Sequence, residues 1–186
     1  MAARSSFLDI IRSEHGAGPA AGDEHGGGAG LSGGGPPTGL PGNFLFATGI
    51  ECSYPTIGSG KIRRDLLEET GHYDRWEEDF RLVKGLGLRV LRYGLPYHRV
   101  HLGPGEYDWE FADMVLLDLR NLGITPILDL LHFGLPDWLG NFQNPELPVR
   151  FAEYAGAVAR RYPWIRHYTP VNEIFVTAKN SGKTGA

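Results

Sequence analysis

Disulfides, membrane spans and an excess of positive charge are all missing from the sequence. Cys52 is the only cysteine among 186 residues, so no intrachain disulfide can form and nothing indicates an oxidising compartment. No run reaches the roughly 20 apolar residues of a membrane span, and the N-terminal residues lack the apolar core of a signal peptide. A net charge of -4 offers no attraction to nucleic acid or to an anionic membrane. We therefore expect a cytoplasmic protein with neither nucleic acid nor membrane as a partner.

The first 42 residues also lack any periodic apolar pattern. Residues 14–42 are dominated by glycine, proline and alanine, and such a segment cannot bury enough apolar surface to offset the entropy lost on ordering. We predict a disordered segment over 1–42 and a single domain over 43–186. The "FLDII" stretch at 7–11 is either a short docking segment or, as we favour, an isolated apolar patch in a flexible terminus.

From residue 43 onwards, short apolar runs alternate with segments of helical periodicity. Apolar residues three and four positions apart indicate one buried face of a helix, as for Trp76, Phe80 and Val83. Nearly continuous short apolar runs are typical of strands buried on both faces of a parallel sheet. The pattern predicts strands over 44–51, 88–94, 124–134 and 165–174, separated by helices over 72–87, 109–123 and 148–162.

Alternating strands and helices predict an α/β fold with a parallel sheet. The sheet could be open and doubly wound, or closed into a (β/α)8 TIM barrel, and periodicity alone does not distinguish the two. Polar residues at the strand ends favour the barrel, because those ends meet at the rim where barrel enzymes build their active sites. These residues are Glu51, Arg92, His132, Asn172 and Glu173.

Each of these polar residues also has a purely structural interpretation. Glu173 could be a solvated or ion-paired surface carboxylate. Arg92 could be the ion-pair partner of Asp129 or of Glu173, and His132 could be a hydrogen-bonded core histidine. Because buried charges are costly unless they are paired, the convergence of four such strand ends favours a site of catalytic ancestry.

We expect no metal and no cofactor. His98 and His101 lie three residues apart, but no set of acids or thiols near them in the sequence completes a metal site. The "GKT" near the end of the chain resembles part of a phosphate-binding loop, yet the position that requires the first glycine holds Thr177. Cys52 has no sequence neighbour that would activate a thiol, so we interpret it as a small buried residue.

Two longer stretches carry a family resemblance. "YDWEFADMVLLDLRNLGITPILDLLHFGLPDWL" (107–139) and "FAEYAGAVARRYPWIRHYTPVNEIFV" (151–176) resemble the first half of glycoside hydrolase family 1. The resemblance covers roughly residues 43–178 and implies the first four βα units of a retaining β-glycosidase barrel. It implies that Glu173 is the general acid/base and that Asn172 binds the sugar 2-hydroxyl. It further implies that His132 contacts the glycone and that Arg92 keeps the nucleophile ionised.

Two departures from the family pattern concern the sugar pocket. The family usually has Tyr-Gln after its first strand, where this chain has Tyr54 and Pro55, and proline cannot make the glutamine's contact. Tyr97 stands where the family usually has tryptophan. We therefore expect the pocket to differ from that of a standard β-glucosidase, and the sequence does not specify the sugar or the linkage.

The third departure is length. Retaining hydrolysis needs a second carboxylate, which the family places on its seventh strand. A full barrel takes about 250 residues, whereas this chain has 186. We expect the chain alone to be inactive, to expose the edges of a half barrel, and to self-associate or pair through them. Residues 179–186 show no helical pattern. A non-catalytic sugar-binding module and a truncated gene product are the alternative interpretations.

Overall fold

The computed structural model describes residues 45–58 and 60–184. The predicted disordered segment at 1–42, with its "FLDII" stretch, lies outside these residues. The strands are β1 Thr48–Ile50, β2 Thr56–Ile57, β3 Ile62–Arg63, β4 Val90–Gly94, β5 His101–Gly103, β6 Glu106–Tyr107, β7 Thr125–Asp129 and β8 His167–Thr169. The helices are α1 Leu66–Glu69, α2 His72–Gly85, α3 Tyr97–Val100, α4 Glu110–Asn121, α5 Leu147–Arg161 and α6 Ile174–Thr184, with a 3-10 turn at Asp137–Leu139.

A parallel sheet of four strands in the order β1-β4-β7-β8 carries the candidate site. The register places Gly94 of β4 opposite Asp129 of β7, and Asp129 opposite Thr169 of β8. The last residues of three neighbouring strands therefore lie at one level. Polar side chains just beyond that level meet at the carboxyl edge of the sheet, as predicted from the sequence.

The three long helices pack their predicted apolar faces against the sheet. Phe80 of α2, Val115 and Leu119 of α4, and Tyr154 and Val158 of α5 are all completely buried. Burying one such side chain is worth about 1.5–3 kcal/mol relative to leaving it exposed. The predicted helices are confirmed, and each ends one or two residues earlier than its sequence pattern indicated.

The first, third and fourth predicted strands were too long. The first spans only Thr48–Ile50, and the third ends at Asp129, so His132 lies in the loop that follows it. The fourth ends at Thr169, and Asn172 and Glu173 lie in the turn before α6 rather than on the strand. Val171, Ile174 and Phe175 of the stretch "VNEIFV" extend the apolar pattern of the strand in sequence, but Ile174 already belongs to the helix. The turn is held by the Asn172 N–H, which donates to the Leu131 carbonyl at 2.8 Å across the sheet edge.

The expectation that residues 179–186 lack a helix was wrong up to Thr184, where α6 ends. No proline interrupts the segment, and its polar face needs no apolar partner. A tertiary contact supports it, because Gln143 Nε2 donates to the Ser181 carbonyl at 2.5 Å and to its hydroxyl at 2.8 Å. Within the described residues no helix is long and apolar enough to cross a membrane. The cytoplasmic location stays a prediction.

Two short hairpins, β2–β3 and β5–β6, have no counterpart in the sequence prediction. The second hairpin covers an aromatic cluster in which Tyr97 stacks on Tyr154, with ring centroids 4.2 Å apart. Tyr97 is therefore a core residue, since only 4% of it is exposed. Its ring contacts His101 as well as Tyr154, and the expected difference from a standard β-glucosidase pocket stays a prediction.

Candidate functional site

Asp129 is the centre of a polar network at the carboxyl edge of the sheet. It is the last residue of β7, and only 2% of it is exposed. Its Oδ2 accepts hydrogen bonds from Arg92 Nη2 and from His132 Nδ1, the latter at 2.9 Å. A buried carboxylate is costly unless it is paired, so the contacts with Arg92 and His132 stabilise the negative charge of Asp129.

Arg92 links this buried charge to the turn after β8. The same Nη2 that contacts Asp129 also donates to Asn172 Oδ1 at 2.7 Å. Of the two ion-pair partners considered from the sequence, Asp129 is the one observed. The arginine side chain stays 37% exposed, although its Nε is buried and has no hydrogen-bond partner in the described part of the chain.

Asn172 is buried and held on three sides. Its N–H binds the β7–α5 loop, its carbonyl accepts from Thr177 Oγ1 at 3.1 Å, and its side-chain oxygen accepts from Arg92. Because the guanidinium occupies the amide oxygen, the NH2 group is the branch that can donate outward. That is the polarity needed to hydrogen-bond the oxygen of a sugar hydroxyl.

His132 presents one nitrogen inward and the other towards the rim. Nδ1 lies 2.9 Å from the Asp129 carboxylate and donates to it, which leaves Nε2 as the ring nitrogen that faces Glu51. Nε2 is 3.6 Å from Glu51 Oε1, which is too long for a direct hydrogen bond. The structure therefore combines the two sequence-based interpretations, because His132 is a hydrogen-bonded buried histidine with one ring nitrogen at the rim.

Glu51 lies across from His132, on the loop after β1. Its side chain is 57% exposed, and Ser53 Oγ donates to its Oε1. The loop is anchored by the Tyr54 N–H, which donates to the His132 carbonyl at 3.1 Å. Pro55 follows and lines the groove beside the network, whereas Glu51 is the carboxylate that this loop offers to the site.

Glu173 and Phe133 share an uncommon backbone conformation. Their φ angles are 45° and 58°, and they are the two non-glycine residues with positive φ in the described part of the chain. Each directly follows a member of the polar network, Asn172 and His132 respectively. The left-handed region costs an L-residue roughly 1–2 kcal/mol, and such strain concentrates at functional sites. Glu173 itself is exposed.

Cys52 lies beneath the network. Its side chain packs on Gly94, where an added Cβ would stand 1.7 Å from Sγ, so only glycine fits there. Burial, with a further contribution from Asp129, raises the pKa of the Cys52 thiol far above its usual range. Ligand atoms of Cys52, Asp129 and His132 lie within 4.8 Å of one another, a cluster that the sequence did not reveal.

The two histidines weighed from the sequence as metal ligands have separate environments. His98 Nε2 lies 2.9 Å from Asp65 Oδ2, which also accepts from Tyr73 at 2.8 Å, whereas His101 is buried beside Tyr107. Burial pushes the pKa of the Asp65 carboxyl upwards, but hydrogen bonds from His98 and Tyr73 outweigh burial, and the net pKa is lowered.

A groove of about 350 Å³ adjoins the network. Its walls come from the β2 strand, the loop after β7 and the first turns of α6, and most of its lining is apolar. Thr177 joins the groove to the network because it lines the groove and also bonds Asn172. The lining residues are Pro55, Thr56, Ile57, Phe133, Phe142, Val176, Thr177 and Asn180.

Sequence reasoning named Arg92, His132, Asn172 and Glu173, and the structure brings the first three into one hydrogen-bonded network with Glu173 beside it. The sequence prediction considered Asp129 only as a possible ion-pair partner of Arg92 and did not recognise that it joins Arg92 to His132. The available signal was an acidic residue at the end of an otherwise apolar strand, "ITPILD", where a charge requires a partner.

The polar network lies at the carboxyl edge of a parallel sheet, which is the edge where barrel enzymes build their active sites. The sequence model described as glycosyl hydrolase family 1 matches residues 60–186. The chain belongs to glycosyl hydrolase family 1.

Named relatives are β-glucosidase-like. The thermostable beta-glucosidase B of Thermobispora bispora is 36% identical over 125 residues, which cover 62% of this chain and 26% of the relative. The bifunctional beta-D-glucosidase/beta-D-fucosidase of Bifidobacterium breve is 28% identical over 169 residues, covering 75% of this chain and 37% of the relative. The chain thus spans between 26% and 37% of the length of these two relatives.

Solved structures show the same likeness. The family 1 β-glucosidase of Thermotoga maritima superposes with a TM-score of 0.54 at 28% identity, covering 57% of this chain and 26% of that one. The beta-glucosidase 2 of Trichoderma reesei superposes with a TM-score of 0.55 at 31% identity, covering 60% and 27%. These neighbours are (β/α)8 barrel glycosidases, and the described residues form a parallel sheet with helices that corresponds to part of such a barrel.

Proposed function

We propose that this chain carries the proton-donor side of a retaining β-glycosidase site. The observation that supports the proposal most directly is the Arg92 guanidinium, which is bonded at once to Asp129 and Asn172 beside Glu173. A surface arginine would not need two buried partners. The network holds the Asn172 amide and the Arg92 guanidinium in place before any ligand arrives, which is the kind of preorganisation that positions a substrate.

Each residue has a role that its geometry suits. Glu173, exposed at the start of α6, donates a proton to the leaving oxygen of the glycoside. The NH2 group of Asn172 binds the sugar 2-hydroxyl, a contact that strengthens as positive charge develops on the ring. The rim nitrogen of His132 accepts from another hydroxyl. Arg92 supplies positive charge next to the position of the nucleophile.

Turnover also requires a nucleophile. Retaining glycosidases hold their two carboxylates about 5–5.5 Å apart. Asp129 cannot be the second carboxylate, because it is buried below the rim and is engaged by Arg92 and His132. We therefore propose that these 186 residues bind sugar without hydrolysing glycosides unless a second carboxylate is supplied from elsewhere.

A carbohydrate-binding module is the second candidate function. It is favoured by the completeness of the binding residues, since Arg92, His132 and Asn172 are all held in place by contacts within the described residues. In this candidate Glu173 accepts a hydrogen bond from the ligand and transfers no proton. The apolar groove beside Asn172 would hold the remainder of a glycoside.

One experiment separates the two candidates. The chain is incubated with a panel of nitrophenyl glycosides, with Glu173→Gln as the test variant and Glu78→Gln, an exposed glutamate on α2, as the matched control. Azide is added as an external nucleophile in place of the second carboxylate. Azide-dependent release of nitrophenol that is reduced only in Glu173→Gln supports the proton-donor half-site, and release without azide would show that the chain already holds a second carboxylate. Sugar-dependent thermal stabilisation without release under either condition supports the binding module. If the chain showed neither release nor stabilisation with any sugar, both candidates would be contradicted.

We further propose that the chain associates through the edges of its sheet. Within the described residues β1 and β8 each pair with a strand on one side only, and unpaired strand edges invite association. Ile174 and Phe175 lie beyond the β8 end of the sheet and are 66% and 78% exposed. Sedimentation should show oligomers that Phe175→Ser weakens, and a monomer at all concentrations would exclude this mode of association.

A further inference from the structure

One oxygen of the Asp129 carboxylate has no partner. Oδ2 accepts from Arg92 and His132, whereas Oδ1 is buried and receives no hydrogen bond from any side chain or backbone group in the described part of the chain. An unsatisfied buried acceptor costs about 1–3 kcal/mol. Buried polar atoms without partners are rare, and a bound ion or a water molecule commonly satisfies them.

Two other potential ligands lie next to this carboxylate. Cys52, from the loop after β1, and His132, from the loop after β7, each place a ligand atom within 4.8 Å of the others and of an Asp129 oxygen. Cys52 and Asp129 lie on either side of Gly94, since a Cβ at that position would meet Cys52 Sγ at 1.7 Å and Asp129 Cβ at 3.5 Å. The thiol and the carboxylate are therefore held together by the sheet itself.

We propose that Cys52, Asp129 and His132 form a binding site for a divalent transition-metal ion of the zinc class. A sulfur, a nitrogen and a carboxylate oxygen are the ligand types that Zn²⁺ takes from proteins, whereas Mg²⁺ and Ca²⁺ require oxygen ligands. Three protein ligands leave a fourth position for water or for a ligand that enters at the rim.

The distances permit closure around an ion. Zinc bonds of about 2.0–2.3 Å place tetrahedral ligand atoms roughly 3.3–3.8 Å apart, so the cluster must contract by about 1 Å. Closure requires Cys52 and His132 to move towards Asp129, and both residues lie on loops rather than within strands or helices. As the metal binds, the Cys52 thiol proton passes to solvent, and the His132 proton moves from Nδ1 to Nε2, which lies 3.6 Å from Glu51 Oε1.

The positive charge of Arg92 is compatible with this site. The guanidinium occupies Oδ2 and so leaves Oδ1 for the metal, which is how outer hydrogen bonds commonly orient a ligating carboxylate. A thiolate and a carboxylate neutralise the two charges of the ion. Glu51, whose carboxylate faces His132, offsets the charge of the arginine. The proposal does not rest on the proposed sugar chemistry, because a metal can be detected without any glycoside.

Cobalt(II) substitution gives the most direct test. The chain is stripped of metal with a chelator and titrated with Co²⁺, and the thiolate-to-cobalt charge-transfer absorption is followed. Because Cys52 is the only cysteine in the chain, this absorption reports on that residue alone. We expect one equivalent of Co²⁺ to bind, with the absorption lost in Cys52→Ser and lost or strongly reduced in Asp129→Asn and His132→Asn.

Thermal unfolding with Zn²⁺ supplies the second measurement. At a zinc concentration about 100 times the dissociation constant, the folding equilibrium should shift roughly 100-fold towards the folded state. Cys52→Ser should abolish the shift, Ser53→Ala should retain it as the matched neighbour, and Mg²⁺ should produce none. Variants are compared only when their metal-free melting transitions show that they fold. A folded chain without the charge-transfer absorption would overturn the proposal, as would an absorption unchanged by both Asp129→Asn and His132→Asn.

Discussion

The ion pair between Arg92 and Asp129 should couple the stability of the sheet to the geometry of the rim. The aspartate is 2% exposed and the arginine side chain 37%. If Asp129 is replaced by Asn, the guanidinium keeps an acceptor but loses its countercharge. Because the arginine can be partly rehydrated, the loss should be smaller than the 3–5 kcal/mol typical of breaking a fully buried pair.

A double-mutant cycle measures this coupling. The free energy of unfolding in urea is determined for the parent chain, Arg92→Gln, Asp129→Asn and the double variant, with the denaturant slope checked for constancy. We expect a coupling free energy of about 2 kcal/mol, between the values for surface and buried pairs. The pair Glu77–Arg81 is the control, since its side chains are 58% and 66% exposed.

The control cycle should give about 0.3–0.5 kcal/mol, as is usual for exposed pairs four residues apart on a helix. A coupling at Arg92 and Asp129 no larger than that of the control would refute the reasoning. It would mean that solvent screens the guanidinium as completely at the rim as on a helix surface, and that Asp129 does not fix Arg92.

Three further predictions concern backbone fit and titration. Gly134→Ala should destabilise the fold by about 2 kcal/mol or more, because the added Cβ would lie 2.0 Å from the Tyr54 carbonyl oxygen. Thermal melts measure the effect, with Gly85→Ala as the control. Gly85 lies in a helix, and an added Cβ there has no neighbour within 4 Å, so this change should stabilise the fold by up to about 1 kcal/mol. Because the folded-state pKa of Asp65 is lowered, its contribution to stability is present above the ordinary carboxyl pKa and is lost as pH falls through the folded value. The free energy of unfolding should therefore fall less steeply at acid pH in Asp65→Asn than in the parent chain. An equally steep fall in both would contradict this prediction. Burial raises the pKa of the Cys52 thiol, so a chromogenic disulfide reagent at neutral pH should react with Cys52 only after urea is added, whereas rapid reaction of the native chain would show that the thiol is accessible.

The parts of the fold that could be predicted from the sequence are those with strong local periodicity. The apolar faces that include Phe80, Leu119 and Val158 were recognisable because burial of one helix face repeats every three to four residues. Arg92 and His132 were recognisable because a polar residue at the end of an apolar strand must either be paired or reach solvent at the rim. In each case the physical cause lies within a single stretch of the sequence.

The parts that could not be predicted depend on contacts between distant stretches. Asn172 leaves the strand because its N–H is captured by Leu131, a partner 41 positions earlier in the chain. The β2–β3 hairpin has strands of two residues, too short to show a period. The end of α6 is polar and patternless, yet Gln143 holds Ser181 in place. No local pattern encodes these pairings.

The proposed sugar site and the proposed metal site share Asp129 and His132, and this overlap allows each to be tested against the other. Cys52→Ser should remove metal binding and leave the hydrogen bond between Arg92 and Asn172 intact, so sugar-dependent stabilisation should survive. Asp129→Asn should impair both, because it removes a metal ligand and the charge that fixes Arg92. If Cys52→Ser also abolished sugar-dependent stabilisation, the thiol would be a support for the rim in its own right. The two sites would then have to be treated as one structural unit.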